Sequence, residues 1–298
     1  MQIRAARPDD APAIVALRAV VYPYLVKGVA ATRQSILEPP PGADWKAFVA
    51  QADDRLVGWV YGYRNVHTAE RDFGEIGQLQ VAPGHRGRGI GGALFDAVWQ
   101  HLGEIGARRV RTWSPPQSLD FARRRGFTPS REMRYSAVRL DPPPPAGPVP
   151  AGVRVVPASE LDPHLLHETD TAAAADEPGD APSDAMTYEA WRHDVWDAAG
   201  LDRTLSTAAV VDGRIAAFSL VLRDGDRMWS DFTGTVPQHR GRGLARLAKA
   251  TALRRAAASG VRVAYTSNDE ANAPMLAVNA RLGYRPVAVQ YSCLTTRS

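Results

Sequence analysis

A loop rich in glycine and arginine occurs twice in this chain, each time between a predicted strand and a predicted amphipathic helix. The two copies read His85-Arg-Gly-Arg-Gly-Ile-Gly-Gly92 and His239-Arg-Gly-Arg-Gly-Leu-Ala-Arg246. Arg86 and Arg240 lie 154 positions apart, about half of the 298-residue chain. A period this long is that of a whole domain. The sequence therefore predicts a duplicated domain rather than a solenoid of short repeats.

The segments around each loop repeat at nearly the same interval. Before the loops, Asp54-Arg-Leu-Val-Gly58 corresponds to Asp212-Gly-Arg-Ile-Ala216. After them, Arg125-Gly-Phe-Thr-Pro129 corresponds to Leu282-Gly-Tyr-Arg-Pro286. Because the similarity extends well beyond the loops, it indicates duplication of the complete fold.

A proline-rich segment separates the two copies. Residues 141–150 carry six prolines and can form neither a helix nor a central strand, so they favour an extended spacer. With 45% hydrophobic residues, the chain can fill two domain-sized cores. We predict an N-terminal domain at residues 1–140, a linker at 141–151 and a C-terminal domain at 152–298.

In each half the predicted strands first follow one another and then alternate with helices. The spacing of Leu94, Val98 and Leu102 predicts a helix that buries one face, directly after the first loop. In the second half, the segment from Ala172 to Ser183 is rich in Ala, Asp, Pro and Gly and predicts an exposed loop. The predicted fold class is α/β, with a mixed α+β sheet in each half.

Both loops are suited to binding phosphate. Backbone N–H groups of the glycines and the N-terminus of the following helix converge on one point, where they favour an anion. A tight turn without a ligand is the alternative, and two independent copies make it less favourable. Neither copy has the Gly-x-x-x-x-Gly-Lys-Ser/Thr pattern of nucleotide hydrolases. Neither sets up the Gly-x-Gly-x-x-Gly of dinucleotide-binding folds together with an acidic residue about 20 positions on: Gly87, Gly89 and Gly92 have the glycine spacing, but the acid is missing.

The two loops resemble the Arg/Gln-x-x-Gly-x-Gly/Ala signature of the GNAT superfamily of N-acetyltransferases. Leu79-Gln-Val-Ala-Pro83 and Thr233-Gly-Thr-Val-Pro237 are similar to the fourth strand of that family, and residues 266–284 are similar to its second conserved region. The resemblance covers both halves and implies two tandem acyl-CoA N-acyltransferase (GNAT) domains. Tandem members of similar length include mycothiol synthases, which acetylate a cysteinyl amine. The resemblance itself leaves the acceptor open.

The same resemblance implies acetyl-CoA (CoA) as the cofactor, with its diphosphate on the loop amides and its pantetheine arm along the fourth strand. The implied cofactor-binding residues of the first half are Leu79, Gln80, Val81, Arg86, Gly87, Arg88, Gly89, Ile90, Gly91 and Gly92. Those of the second half are Thr233, Thr235, Val236, Arg240, Gly241, Arg242, Gly243, Leu244, Ala245, Arg246, Asn268, Asn272 and Asn279.

Three residues are candidates for proton transfer. Glu75 lies eleven positions before Arg86, where several family members carry a general-base glutamate, and six residues of strand, about 20 Å, separate it from Val81. An ordinary polar strand residue is the alternative for Glu75. In the second half this position is Trp229, so Asp231 is the local substitute.

The general acid has no clear assignment. The position where many family members carry a tyrosine is Ala122 in the first half and Asn279 in the second. This leaves Tyr284 or solvent as the proton donor to the departing thiolate.

The expected activity is transfer of an acetyl group from acetyl-CoA to a primary amine of a small molecule or peptide. A non-catalytic CoA-binding or ligand-sensing module is the alternative. The net charge of +4 comes without runs of Lys or Arg interleaved with aromatic residues, so we expect no nucleic acid partner.

No stretch approaches the roughly 18 apolar residues of a membrane span, and the N-terminus carries no apolar signal segment. The lone Cys293 and the lack of zinc-like spacing predict neither a disulfide nor a metal site. We expect a cytoplasmic monomer or homodimer.

Overall fold

The computed structural model describes residues 1–181 and 184–297, which form two units. Unit 1 comprises Met1–Met133, Gly179–Asp184 and Val289–Ser298, and unit 2 comprises Arg134–Pro178 and Ala185–Ala288. None of the helices in the described residues is long and apolar enough to cross a bilayer.

Unit 1 is a mixed sheet with four helices. Its strands are β1 (Gln2–Ala5), β2 (Lys46–Ala52), β3 (Arg55–Arg64), β4 (Phe73–Val81), β5 (Arg109–Ser114) and the first part of β6 (Thr128–Arg139). Its helices are α1 (Ala11–Val21), α2 (Val29–Leu37), α3 (Ile90–Glu104) and α4 (Leu119–Arg123). Strands β1 to β4 pair antiparallel in sequence order, and β4 then pairs parallel with β5.

The core of unit 1 lies between α3 and the sheet. Leu94, Val98 and Leu102 are fully buried, which confirms the helix face predicted from their spacing. They pack with Val60 of β3 and Val110 of β5. Helix α3 therefore has a fixed position on the sheet, and with it the loop from which the helix begins.

Strands β4 and β5 pair over only four residues of each strand. The parallel register runs from Phe73↔Arg109 to Ile76↔Thr112. Directly afterwards β4 carries a bulge, where Gln78 has φ = 52° and the pairing with β3 shifts register. A bulge bends its strand, so β4 and β5 separate here and the edge of β4 toward β5 is unpaired beyond Ile76.

Unit 2 repeats this order. Its strands are β7 (Val153–Pro157), β8 (Thr207–Val211), β9 (Arg214–Asp224), β10 (Arg227–Thr235), β11 (Val263–Asp269) and the first part of β12 (Arg285–Thr296). Its helices are α5 (Pro163–Ala174), α6 (Tyr188–Trp191), α7 (Leu244–Ala258) and α8 (Ala273–Arg281). Strand β10 pairs parallel with β11 only from Arg227↔Val263 to Trp229↔Tyr265, and its register with β9 shifts after Ser230.

The division into units differs from the predicted domain boundaries at the last strand of each half. The prediction placed all of β6 before the boundary and all of β12 after it. In the structure β6 passes from unit 1 into unit 2 at Arg134, and the end of β12 belongs to unit 1. There Tyr291 to Thr296 pair antiparallel with β5. Each of these strands has twelve residues, about 40 Å, and so contributes to both units.

The predicted exposed loop from Ala172 to Ser183 is only partly a loop. Ala172 to Ala174 form the last turn of α5, and Gly179 to Ala181 pack in unit 1. Pro182 and Ser183 lie outside the described residues. The composition indicated the break in secondary structure, but a partner distant in sequence decides where the segment packs.

Candidate active site

The first glycine-arginine loop adopts the shape that a phosphate site needs. Gly87 and Gly89 have φ of 73° and 79°, and Gly89 forms the N-cap of α3. No side chain caps the helix, so the first amides of α3 point into the loop without an acceptor from the helix. A Cβ at either glycine would meet nothing within 4 Å, so an anion can approach the backbone closely.

A cleft of about 710 Å³ runs from this loop along the separating strands of unit 1. Eight of the ten cofactor residues predicted for this half line it: Leu79, Val81, Arg86, Gly87, Gly89, Ile90, Gly91 and Gly92. The far end of the cleft is formed by Ile76 and Thr112, whose hydroxyl donates to the Ile76 carbonyl at 3.1 Å. The other two predicted residues point elsewhere, because Gln80 is buried and Arg88 is exposed.

Sequence reasoning missed the cation that faces the loop from the turn after α4. The Arg125 guanidinium lies 3.6 Å from the centre of the Phe121 ring, and its Nη2 would be 3.3 Å from a Cβ at Gly92. Burial lowers the pKa of Arg125, but an arginine remains charged at neutral pH. The run Arg123-Arg124-Arg125 at the end of the predicted helix was the available signal. Arg124 also lines the cleft.

Glu75 lies beside the far end of the cleft, on the other face of β4 from Ile76 because side chains alternate along a strand. Its side chain is 8% exposed and accepts hydrogen bonds at 2.6 Å from Asn65 Nδ2 and from Arg111 Nη2. Tyr63 also hydrogen bonds to Glu75. Burial raises the pKa of Tyr63 well above its usual value, and the neighbouring carboxylate adds to this effect.

This cluster can hold a proton acceptor in a fixed position. Glu75 and Arg111 are opposite each other in the parallel register, one position before the last pair, Ile76↔Thr112. Ile76 and Thr112, the last pair of these strands, line the cleft, and Glu75 is the neighbour of Ile76 on the opposite face of β4. An amine approaching from the Glu75 side would meet a carboxylate oriented by three donors.

The bulge in β4 is itself held by a buried arginine. Arg18 of α1 donates from Nε to Gln78 Oε1 at 2.9 Å and from Nη1 to the Lys27 carbonyl at 2.7 Å. Its side chain also lies 5.8 Å from the centre of the Trp59 ring. Arg18 is 2% exposed, so the loss of these bonds would leave an unpaired charge inside the protein. No pattern in the sequence indicated this contact, which joins α1 to β4.

The loop of unit 2 has the same backbone shape but different neighbours. Gly241 and Gly243 have φ of 77° and 76°, and Arg240 Nε donates to the Thr235 carbonyl at 3.3 Å, as Arg86 does to Val81 at 3.1 Å. Unlike Arg86, Arg240 also pairs with Asp176 at 2.6 Å. The pairing neutralises part of the positive charge that the loop would offer to a phosphate.

The remaining predicted residues of unit 2 occupy varied positions. Thr235 ends β10 and Val236 follows it, and Ala245 and Arg246 lie in the first turn of α7. Thr233 exchanges a hydrogen bond with Ser219 at 2.9 Å, Leu244 is part of the core, and Arg242 Nη1 lies 2.7 Å from His239 Nδ1. Asn272 caps α8 by accepting from the Met275 amide at 3.2 Å, and Asn279 donates to Asn268 at 2.5 Å.

The two proton-transfer candidates of unit 2 are placed less favourably than Glu75. Asp231 is surface-accessible but hydrogen bonds to the Trp229 indole and the Phe232 amide, and partial desolvation raises the pKa of its carboxyl. Tyr284 is buried, shares a 2.8 Å hydrogen bond with Ser230, and has its pKa raised by burial. Lys249 Nζ lies 5.0 Å from the centre of the Tyr284 ring.

Sequence reasoning did not single out a second carboxylate of unit 2, Asp170 of α5. It accepts a 2.5 Å hydrogen bond from Trp191 Nε1. Burial, with a contribution from the nearby Asp231, raises the pKa of Asp170 to about 6. The sequence shows Asp170 only as one acid among several on a helix, because its partners come from distant segments.

We expect Asp170→Asn to reduce the pH dependence of stability. The folded carboxyl keeps its proton up to about pH 6, whereas the unfolded one loses it near 3.8. The wild type therefore loses stability as pH rises from about 4 through 6, by up to about 3 kcal/mol at 1.36 kcal/mol per pK unit. Urea unfolding between pH 4 and 8 measures this change in the free energy of unfolding.

The control for this prediction is Asp9→Asn, at a side chain that is 92% exposed. Equal pH slopes in wild type and Asp170→Asn would contradict the expectation.

Comparisons with known proteins agree with this geometry. Residues 16–127 match the Acetyltransferase (GNAT) family model, and residues 166–267 match an Acetyltransferase (GNAT) domain model. The mycothiol acetyltransferase of Saccharomonospora viridis is 29% identical over 257 residues, which are 78% of this chain and 79% of that protein. That of Catenulispora acidiphila is 31% identical over 111 residues, but the match spans only 36% of this chain and 35% of that protein.

A solved structure gives the same fold. A tandem GNAT protein from the clavulanic acid biosynthesis pathway superposes with a TM-score of 0.76 at 21% identity, over 99% of this chain and 98% of that one. The two family models match separate halves of the sequence, each including one of the glycine-arginine loops. The chain therefore belongs to the GNAT family of acetyltransferases.

Proposed function

We propose that this chain transfers the acetyl group of acetyl-CoA to a primary amine of a small molecule, and that unit 1 carries out the reaction. Membership of the GNAT family supplies the reaction class and the acetyl donor. The observation that favours unit 1 is its cleft, which joins the amide-lined loop to the strand separation beside Glu75.

The residues of unit 1 fit acetyl-CoA along the whole cleft. The uncapped amides at the start of α3, together with Arg86 and Arg125, match the charge of a diphosphate. The unpaired edge of β4 from Leu79 to Val81 offers backbone groups to the amides of the pantetheine arm. When bound there, acetyl-CoA supplies an activated acyl group as a thioester.

Glu75 receives the proton of the acceptor amine in this proposal. An alkyl ammonium has a pKa near 10, so at neutral pH it must lose a proton before it can act as a nucleophile. Arg111 and Asn65 fix the Glu75 carboxylate at the strand separation. There the carboxylate accepts the proton of an incoming amine, either directly or through one water. Tyr22 and His85 line the cleft and are the residues there whose side chains can carry a proton toward a leaving thiolate.

The acceptor class follows from the names of the relatives. Both relatives reported above are called mycothiol acetyltransferase, and that of Saccharomonospora viridis aligns over most of both chains. We therefore propose a cysteinyl amine of the mycothiol type as the first acceptor to test, with other small amines and peptides next. We place the reaction in the cytoplasm, where acetyl-CoA is available and the buried Cys293 stays reduced.

Unit 2 is proposed to lack turnover of its own. Trp229 stands at the position that corresponds to Glu75, and Arg240 of its loop is paired with Asp176. The comparisons give no support to the alternative that the whole chain is a non-catalytic binding module.

A panel of acceptors tests this proposal. Purified protein is incubated with acetyl-CoA and either a cysteinyl amine, a small diamine or a lysine-containing peptide, and N-acetylated products are measured by mass spectrometry. Mass detection is needed because a cysteinyl thiol would react with thiol reagents. We expect turnover with at least one small amine and the fastest turnover with the cysteinyl amine. Acetylation of no amine, despite measured binding of acetyl-CoA, would refute the proposal.

A further inference from the structure

We infer that Asp180 is a positioning residue for Glu75: a segment from the second half of the sequence brings a buried carboxylate to Arg111, the arginine that orients the proposed base. The inference rests on the proposed function of unit 1. It adds a residue that lies outside the GNAT-like motifs of this chain and 105 positions after Glu75.

The segment that carries Asp180 is fastened into unit 1 at two points. It leaves unit 2 after Pro178, beyond the end of α5, and the chain returns to unit 2 at Ala185. The Asp180 carbonyl accepts from Arg109 Nη2 at 2.8 Å, and the Asp184 amide donates to the His67 carbonyl at 2.9 Å. The chain is thereby held to unit 1 at Asp180 itself and again at Asp184.

The Asp180 carboxylate is 3% exposed and is surrounded by donors. Arg131 Nε lies 3.0 Å from Oδ1, Ser130 donates to Oδ1 at 2.9 Å, and Ser292 donates to Oδ2. Burial alone would raise the pKa of Asp180, but hydrogen bonds from Arg131, Ser292 and Ser130 lower it overall. Asp180 therefore remains an anion throughout the pH range in which an amine can be acetylated.

Arg111 links this anion to the proposed base. Its Nη2 donates to Glu75 Oε1 at 2.6 Å, and its Nη1 lies 3.5 Å from Asp180 Oδ2. Two different nitrogens of one rigid guanidinium are thus directed at two carboxylates, which fixes the plane of the group. The negative charges of Glu75 and Asp180 balance the positive charges of Arg111 and Arg131. Removal of Asp180 would leave an excess positive charge next to Glu75.

The duplication provides independent support. In unit 2 the register positions of Glu75 and Arg111 hold Trp229 and Tyr265. The sequence positions that correspond to Ser130 and Arg131 there are Val287 and Ala288, counting from the Gly-Phe and Gly-Tyr pairs. The base, its arginine and the residues that receive Asp180 are therefore present together in one copy and absent together from the other. This joint presence and joint absence is what a link between Asp180 and the proposed base predicts.

The charged and titratable groups that face this cluster come from several elements. Around Glu75 they are Arg111 of β5 and Tyr63 of β3, with Tyr61 of β3 and Arg18 of α1 beyond them. Around Asp180 they are Arg111, Arg131 of β6 and Arg109 of β5. Loss of the Asp180 charge would strengthen the net positive field at Glu75, since the arginines remain. A carboxylate in a more positive field is a weaker base.

The test is a double-mutant cycle of Asp180→Asn with Glu75→Gln. Asparagine keeps the shape of the side chain and removes its charge. We expect Asp180→Asn alone to lower kcat at least about tenfold, to leave KM for acetyl-CoA within about twofold, and to move the acid limb of kcat against pH to lower pH. In the Glu75→Gln background the same change should have almost no further effect on kcat.

Each outcome of the cycle is informative. An equal loss of kcat from Asp180→Asn in both backgrounds would show a structural role only and overturn the inference. No loss from Asp180→Asn, with a large loss from Glu75→Gln, would overturn it while the proposed function stands. No loss from Glu75→Gln would refute the catalytic role of unit 1 and this inference with it. Asp184→Asn, an exposed carboxylate of the same segment, is the matched control, and calorimetric binding of acetyl-CoA confirms that each variant is folded.

Discussion

Replacement of Glu75 by Gln is expected to lower kcat by about 10²- to 10³-fold, because general-base catalysis by a positioned carboxylate contributes this much. The amide keeps the size of the side chain and can still accept from Arg111 and Asn65, but it cannot take up a proton. KM for acetyl-CoA should stay within a few fold, since Glu75 lies on the other face of β4 from the cleft. Steady-state kinetics with saturating acceptor between pH 6 and 9 measure both values.

The companion variant Asp231→Asn tests which of the two units carries out the chemistry. Asp231 is the carboxylate nearest in position to Glu75 in unit 2, and we expect its removal to leave kcat within about twofold. Melting temperatures of both variants show whether the fold is kept. The Glu75 change removes a charge from a buried ion pair, which costs stability when the partner is left behind. A large loss of kcat in Asp231→Asn with full activity in Glu75→Gln would place the chemistry in unit 2.

The sequence was sufficient to predict the features that depend on local rules. The spacing of Leu94, Val98 and Leu102 gave the buried face of α3, and the glycine pattern gave the positive-φ loop at its start. The predictions of a tandem GNAT chain, of acetyl-CoA as cofactor and of an acetyltransferase are confirmed by the comparisons. The roles of the individual site residues remain predictions.

Features set by pairing between distant segments could not be predicted. The neighbours of strands β6 and β12 in the sheet could not be predicted. The alternation of side chains shows which face of a strand is buried, but not which strand lies beside it. Asp180 lies in a segment whose composition indicates an exposed loop, yet its side chain is almost fully buried by arginines and serines of unit 1. Arg125 and Asp170 were likewise visible only as charges on helices.

The duplication explains why the two copies of the site can differ. Both units keep the loop backbone and the short parallel pairing that lets two strands separate. Among the described residues, only unit 1 combines these with a buried carboxylate in the paired stretch, one position before its end. If one copy carries out the reaction, the second needs only to fold, so Trp229 and Tyr265 can occupy the positions of the charged pair.

The second large effect is expected from Gly89→Glu, which should weaken binding of acetyl-CoA at least about 100-fold, equivalent to about 2.7 kcal/mol. Gly89 is left-handed at φ = 79°, a conformation that costs other residues about 1–2 kcal/mol. The carboxylate adds repulsion at the point where amides without acceptors face the diphosphate. Isothermal titration calorimetry with acetyl-CoA measures the loss, and Gly89→Ala separates the strain from the charge, since alanine introduces only the former.

Gly243→Glu is the matched variant of unit 2, because Gly243 has φ = 76° and occupies the same N-cap position of α7. The strain and the charge are the same in both changes, so any difference between them reports what each loop binds. We expect Gly89→Glu to abolish turnover and Gly243→Glu to keep kcat and KM within about twofold, because Arg240 already gives part of its charge to Asp176. If Gly243→Glu abolished turnover and Gly89→Glu spared it, the cleft of unit 1 would not be the site of acetyl transfer, however well its shape and charge fit the donor.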